Sequence, residues 1–261
     1  MFIQLNILRK LKKLVFFTIL LLTPLSNSLS NNINDDKVHN IIEDVNKKYD
    51  YIRTANISGK VSYNLPKNKK IKLYKKYEIK RDSKIHITIY IFLRFKVAEF
   101  ISDGIRVQYK RIKRKVKNRD ISEFNLNIFN KYLDLDLTVK ELNNMLLGLN
   151  LERFDKNLYQ YKIKDSYLYV LQNKLTSKID LKTKEIVEII IDDKREAKIA
   201  YSEFKTVKID KSTKNSVNTN YNVLIPRRIS LTTPTFSMKI KHQNAIIINK
   251  KIENRKLLIS E

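Results

Sequence analysis

Apolar residues recur at every second position through most of this chain, which is the pattern of β-strands with one buried face. From Ile57 to Leu65 the odd-numbered residues are apolar, aromatic or glycine, and the even-numbered ones are polar. Residues 85–91 repeat this pattern with four isoleucines, and the alternation also occurs at 71–79, 96–102 and 105–109. Because only short turn sequences separate these stretches, we predict five successive antiparallel strands.

The alternation resumes in the second half of the chain. It predicts further strands at 159–163, 167–171, 174–181, 185–191, 196–209, 221–231 and 235–249. From these twelve candidate segments we predict a sheet of about ten strands.

Helical spacing of apolar residues occurs in three places. Residues 35–49 carry one apolar stripe, and residues 138–147 carry another. Thr138 and Glu141 have the spacing of a capping box, and Gly148 suits the left-handed position that ends a helix. A short helix is predicted at 121–132. Since no linker divides residues 31–261, we expect one mainly β domain with two or three helices (α+β).

The first thirty residues have the pattern of a secretory signal. Four basic residues at positions 9–13 precede the apolar run Leu14–Leu22, and small residues follow it. The run is too short for an ordinary membrane-spanning helix, although an uncleaved short anchor is the alternative interpretation. The sequence has no cysteine, so a lipid-modified cysteine and disulfides are excluded. We expect a protein that is exported and periplasmic or envelope-associated.

The chain is strongly basic, with 53 Lys and Arg against 27 Asp and Glu and a net charge of +26. The excess reflects either a solvated surface shaped by compositional drift or a surface for polyanions. Forty of the basic residues are lysines, whereas base recognition in nucleic acids relies on arginine. Because export also argues against it, we do not expect nucleic acid as a partner.

Two local features are candidates for surface contacts. The first is a basic cluster that could bind an anionic membrane surface or simply be a solvated hairpin end that protects an edge strand; it comprises Lys110, Arg111, Lys113, Arg114, Lys115 and Lys117. The second is an apolar turn containing Phe92, Leu93 and Phe95, which either inserts into a partner or a lipid or packs under a helix.

The residues that usually carry catalysis are scarce. The three histidines lie in separate segments, and the glycine-rich motifs that hold phosphates or cofactors do not occur. We therefore expect no enzyme activity, no metal and no cofactor.

Several short motifs carry a resemblance to a known family. They are Ile57-Ser-Gly-Lys-Val61, Lys84-Ile-His-Ile-Thr-Ile89, Lys96-Val-Ala-Glu-Phe-Ile-Ser-Asp-Gly104, Leu142-Asn-Asn-Met-Leu-Leu-Gly148, Ile199-Ala-Tyr-Ser-Glu-Phe204 and Leu224-Ile-Pro-Arg-Arg-Ile229. With the order helix, meander, central helices and second meander, the chain resembles the LolA/LolB-like outer-membrane lipoprotein carrier superfamily, and in particular a lipoprotein-related branch of it. The receptor branch of that superfamily carries an N-terminal lipid, which this chain cannot carry.

The resemblance implies an unclosed β-barrel or strongly curved sheet, capped by helices, with an apolar cavity for acyl chains. The residues that would line this cavity are Ile57, Val61, Ile71, Leu73, Ile85, Ile87, Ile89, Leu142 and Leu146. The expected function is that of a monomeric, non-enzymatic carrier or receptor for a lipid or an acylated protein. The alternative is a basic secreted module that attaches to anionic envelope or membrane surfaces without an internal ligand.

Overall fold

The structure is a computed structural model that describes residues 35–65, 69–81, 84–91, 95–104, 106–111, 120–124, 137–192, 196–209, 222–250 and 252. Residues His39–Glu261 form one compact unit. Of the preceding unit, Met1–Val38, the structure describes only Asp35–Val38. The predicted signal segment, residues 1–30, lies outside the described residues. Within the described part, no helix combines the length and the apolar character needed to cross a membrane.

In the described residues, thirteen antiparallel strands form a single sheet. They are β1 Thr54–Leu65, β2 Lys69–Lys80, β3 Lys84–Ile91, β4 Phe95–Ser102, β5 Val107–Arg111, β6 Asp120–Phe124, β7 Gln160–Lys164, β8 Tyr167–Gln172, β9 Leu175–Asp180, β10 Ile186–Ile191, β11 Ala197–Lys208, β12 Asn222–Thr232 and β13 Ser237–Ile248. Their spatial order is β6-β5-β4-β3-β2-β1-β13-β12-β11-β10-β9-β8-β7. Two meanders, β1–β6 and β7–β13, are therefore joined where β1 pairs with β13. Within the described residues β6 and β7 remain the two edges, which confirms a mainly β, unclosed sheet.

Two helices are described. Helix α1 spans Asp35–Tyr51 and helix α2 spans Val139–Leu147, close to the predicted bounds. The Thr138 side chain accepts a hydrogen bond from the backbone N–H of Glu141, whose carboxylate accepts from the N–H of Thr138 in return. Gly148 ends α2 in the left-handed conformation with φ +71°. The predicted capping box and helix end are both confirmed.

The helix predicted at 121–132 is wrong at its beginning, because Asp120–Phe124 is strand β6. This strand pairs with β5 from Val107 opposite Phe124 to Arg111 opposite Asp120. The free backbone groups of β5 offer this short segment a hydrogen-bonded ladder that local propensity does not reveal. Residues 125–132 lie outside the described part of the chain.

The two faces of the sheet differ in chemistry. Ile57 lies opposite Tyr77, which lies opposite Ile87, and such directly paired residues point to the same side. This side, which we call the helix face, contacts α2 and contains most of the buried apolar residues. The opposite side around the junction of the two meanders, which we call the lysine face, carries Lys60, Lys72, Lys239 and Lys241.

The segment after α2 ties both helices to the sheet through buried hydrogen bonds. Tyr49 of α1 donates its hydroxyl proton to the carbonyl oxygens of Asn150 and Glu152. The Asn144 amide of α2 donates to the Leu151 carbonyl at 2.9 Å. The Ser177 hydroxyl of β9 donates to the Asn150 side-chain oxygen at 2.6 Å. These contacts fix the C-terminal end of α2 relative to β9.

Candidate functional site

A small apolar pocket lies between α2 and strands β3–β5. Its volume is about 20 Å³, which is room for about one water molecule. Three residues predicted to line a lipid cavity lie in its wall, namely Ile85, Ile87 and Leu142. The remaining wall comprises Phe100, Ile101, Ser102, Val107, Leu137, Thr138 and Val139.

Most of the other predicted cavity residues are buried on or against the same face. Ile57 and Val61 of β1 and Leu146 of α2 are at most 1% exposed, and Ile89 of β3 is 9% exposed. Their burial fits a continuous apolar layer between α2 and the sheet. Whether they contact a ligand stays a prediction.

The helix face continues past α2 to an apolar rim of exposed side chains, formed by Ile71, Ile91 and Phe95. These are 43%, 40% and 54% exposed, respectively. Ile91 lies opposite Phe95, and Ile71 lies opposite Tyr63, so all of them belong to the helix face. Leu73, next along β2, is half-buried. Whether Phe95 inserts into a partner or a lipid stays a prediction, and Phe92 and Leu93 lie outside the described residues.

Lys75 brings a positive charge onto this otherwise apolar face. It lies opposite Gly59 on one side and Ile89 on the other. Its ammonium group donates a hydrogen bond to the Tyr63 hydroxyl and lies 4.7 Å from the centre of the Tyr63 ring. A half-buried cation near an apolar rim suits the anionic headgroup of an amphiphile. The sequence analysis did not select Lys75, although it is in phase with Leu73 and Tyr77.

Solved structures of other proteins share this architecture, although no sequence match was found. No family model and no curated protein matches the sequence. Among solved structures, a DUF1329 family protein from Desulfovibrio piger aligns with a TM-score of 0.55 and 12% identity, covering 84% of this chain and 95% of that one. A putative outer membrane lipoprotein-sorting protein domain from Vibrio parahaemolyticus aligns with a TM-score of 0.50 and 9% identity, over 83% and 94%. A LolA superfamily protein from Nitrosomonas europaea has a TM-score of 0.49 and 9% identity, over 84% and 97%.

This chain shares its fold with the first two of these proteins. The architecture that the resemblance implies is thus confirmed at the level of the fold. At identities of 9–12% the likeness shows the fold alone. The function has to be argued from the residues.

On the side of the sheet away from α2, a buried histidine lies between two carboxylates. The His86 ring donates from Nδ1 to Glu78 at 2.9 Å and from Nε2 to Glu99 at 3.1 Å. Lys76 lies 3.2 Å from Glu78, and Lys96 pairs with Glu99. The hydrogen bonds from His86 lower the pKa of each carboxyl group to about 2. Burial alone lowers the pKa of His86, but the bonds to both carboxylates outweigh it and leave that pKa raised.

This cluster is internally satisfied, because both ring nitrogens already have carboxylate partners. Among the described residues, no group of three or more His, Asp and Glu side chains is arranged to hold a metal ion. We interpret the cluster as a structural tie between β2, β3 and β4 rather than a ligand site.

We expect Glu99→Gln to lower the pKa of His86, because an adjacent carboxylate stabilises the imidazolium. An NMR titration of the imidazole protons measures this directly. Glu188→Gln is the matched control, since Glu188 pairs with Lys198 at 2.6 Å on β10 and β11 instead. An unchanged titration of His86 in the Glu99 variant would show that the two groups do not form this bond in solution.

The predicted basic cluster is described only in part. Lys110 and Arg111 form the end of β5, where Lys110 lies opposite Glu99. Lys113, Arg114, Lys115 and Lys117 lie outside the described residues, so their contact with an anionic surface stays a prediction.

Proposed function

We propose that this protein is an exported, non-enzymatic carrier or receptor that holds acyl chains of a lipid or an acylated protein between helix α2 and the helix face. The observation that carries the proposal is the continuity of that face. It runs from the apolar pocket beneath α2 to the exposed side chains of Ile71, Ile91 and Phe95. An acyl chain laid along it would replace water at the rim and apolar contacts under the helix.

The proposal requires α2 to move. The pocket of about 20 Å³ is far too small for an acyl chain, so a ligand has to separate Leu142 from Ile85 and Ile87. Burial stabilises a bound chain by about 0.8 kcal/mol per methylene, and about ten methylenes would contribute roughly 8 kcal/mol. The bound chain would also take over the apolar contacts that Leu142 loses when α2 moves.

Lys75 defines the orientation of the proposed ligand in the site. Lys75 is half-buried on the helix face, and its ammonium group bonds the Tyr63 hydroxyl. A phosphate or carboxylate headgroup would form a charge-assisted hydrogen bond there. The chains would then extend from Lys75 along the isoleucines of β3.

Tethering α2 to β3 tests the proposal. The chain has no cysteine, so Ile85→Cys with Leu142→Cys introduces a unique thiol pair across the pocket. We expect oxidation, or a short thiol crosslinker, to reduce binding of a fluorescent fatty acid more than tenfold, and release of the tether to restore it. The readout is a fluorescence titration, with each single-cysteine variant treated identically as the control.

Mass spectrometry of the purified, untethered protein provides the independent test. Co-purifying acyl species are expected. The absence of any acyl species, together with equal fatty-acid binding by the tethered and free forms, would contradict a site beneath α2.

A further inference from the structure

Basic residues are concentrated in the middle of the sheet. The four adjacent strands β12, β13, β1 and β2 carry eleven lysines and arginines and a single carboxylate, Glu78. The whole chain has 53 basic and 27 acidic residues. A uniform compositional drift would spread both signs alike, so this region departs from the rest of the protein.

The register turns this concentration into rows of like charge. Lys60 lies opposite Lys241, which lies opposite Arg228, so three cations follow one another across three strands. In the neighbouring row Lys72 and Lys239 flank Ser62. Side chains at directly opposed positions are about 5 Å apart at Cβ, where like charges repel. All five cations are exposed.

Partners for these charges are few. Arg228 pairs with Glu203 at 2.8 Å, and Lys60 lies 5.1 Å from the centre of the Tyr74 ring. Within the described part of the chain, Lys239 and Lys241 have no carboxylate partner.

The far end of the same sheet face is arranged differently. There Lys198 pairs with Glu188, and Lys178 lies 3.8 Å from the centre of the Tyr167 ring. Charges in that region are mixed and paired, as on an ordinary solvated surface. The rows of like charge on β12, β13, β1 and β2 are therefore a local feature.

We propose that the lysine face docks the protein onto an anionic lipid bilayer. A lattice of cations over adjacent strands matches the extended layer of headgroups on a membrane better than it matches a single chain lying in a groove. This inference uses a different surface from the proposed acyl site and does not depend on it.

Co-sedimentation of the full chain with vesicles tests this docking. Phosphatidylcholine vesicles with and without phosphatidylglycerol are the probes, over a range of salt concentrations. We expect binding only to the anionic vesicles, weakening as salt rises. We expect the triple variant Lys60→Gln, Lys239→Gln, Lys241→Gln to partition about 100-fold more weakly. Because the substitutions relieve repulsion, the variant is expected to unfold at or above the wild-type temperature.

The matched control removes the same charge elsewhere. Lys140, Lys156 and Lys182 are exposed on α2 and on two turns away from the lysine face, and their triple glutamine variant should keep most of the binding. Equal losses in both variants would overturn the proposal in favour of net charge alone. Binding that ignores phosphatidylglycerol would overturn it as well. A third outcome would also overturn the proposal: the protein binds a sulfated polysaccharide through the three lysines but binds no vesicles. The lysine face would then be a site for a soluble polyanion.

Discussion

Gly148→Ala is expected to destabilise the protein by about 3 kcal/mol, because the alanine meets both backbone strain and a steric clash. Gly148 has a backbone φ of +71°, which residues with a Cβ atom rarely adopt. A Cβ atom there would lie 2.5 Å from Cδ and 2.7 Å from Cγ of Pro226 on β12. Urea unfolding followed by circular dichroism measures the loss as a lower midpoint at an unchanged slope.

A double-mutant cycle separates the two causes. Pro226→Ala removes the atoms that clash but leaves the backbone conformation at Gly148 unchanged. We expect the double variant to be more stable than the sum of the single effects predicts, by about 1–3 kcal/mol. Strict additivity would mean that Gly148 and Pro226 do not touch, and that the end of α2 is not seated against β12.

The sequence predicts the sheet well because its information is local. In an antiparallel meander, successive strands keep their paired residues on one side, so alternation alone predicts that Ile57, Val61, Ile85 and Ile87 share a face. The register confirms this arrangement. The capping box at Thr138 and the helix end at Gly148 are also local signals, and both are confirmed.

Features that depend on distant pairing were not predictable in the same way. Strand β6 forms through its ladder with β5, and β1 pairs with β13 near the other end of the chain. The alternation also implies that polar positions face solvent. His86 and Glu78 occupy polar positions, yet they are only 8% and 5% exposed. Their burial is tolerated because the two opposite charges neutralise one another. Three histidines spread along the sequence gave no sign of this pairing.

The candidate site shows the same limit. Sequence periodicity selects apolar residues, so it finds the pocket wall at Ile85, Ile87 and Leu142. It omits Lys75, which lies on the same face but is charged. Periodicity likewise cannot show how closely α2 approaches the sheet. The size of the pocket follows from packing, and packing is what the proposed ligand has to change.

His242 is expected to make stability depend on pH between neutral and mildly acidic conditions. It lies on β13 opposite Gly59, is fully buried, and donates from Nε2 to the Leu146 carbonyl of α2 at 3.1 Å. Its Nδ1 has no hydrogen-bond partner among the described residues. Burial lowers the pKa of His242 from 6.5 to about 4, because a charge there would be cut off from water.

The direction of this pH dependence follows from proton binding. Between pH 6.5 and 4 the unfolded chain binds a proton at His242 and the folded chain does not, so the free energy of unfolding falls as pH falls. From pH 7 to pH 5 this contribution decreases by about 2 kcal/mol. His242→Gln keeps an N–H donor but does not titrate. We therefore expect the stability difference between wild type and variant to shift by that amount over the same interval, measured by urea unfolding at each pH.

Comparing the two proteins at each pH also removes the opposite contribution of His86. The raised pKa of His86 adds stability at low pH that is lost as pH rises, and it is present in both proteins. A parallel pH dependence of wild type and His242→Gln would contradict a neutral, buried imidazole. An NMR signal of His242 that titrates near pH 6.5 would contradict it too, and would mean that α2 already leaves β13 without a ligand. Since the proposed carrier function requires α2 to move, this measurement also reports how firmly the helix is held when the site is empty.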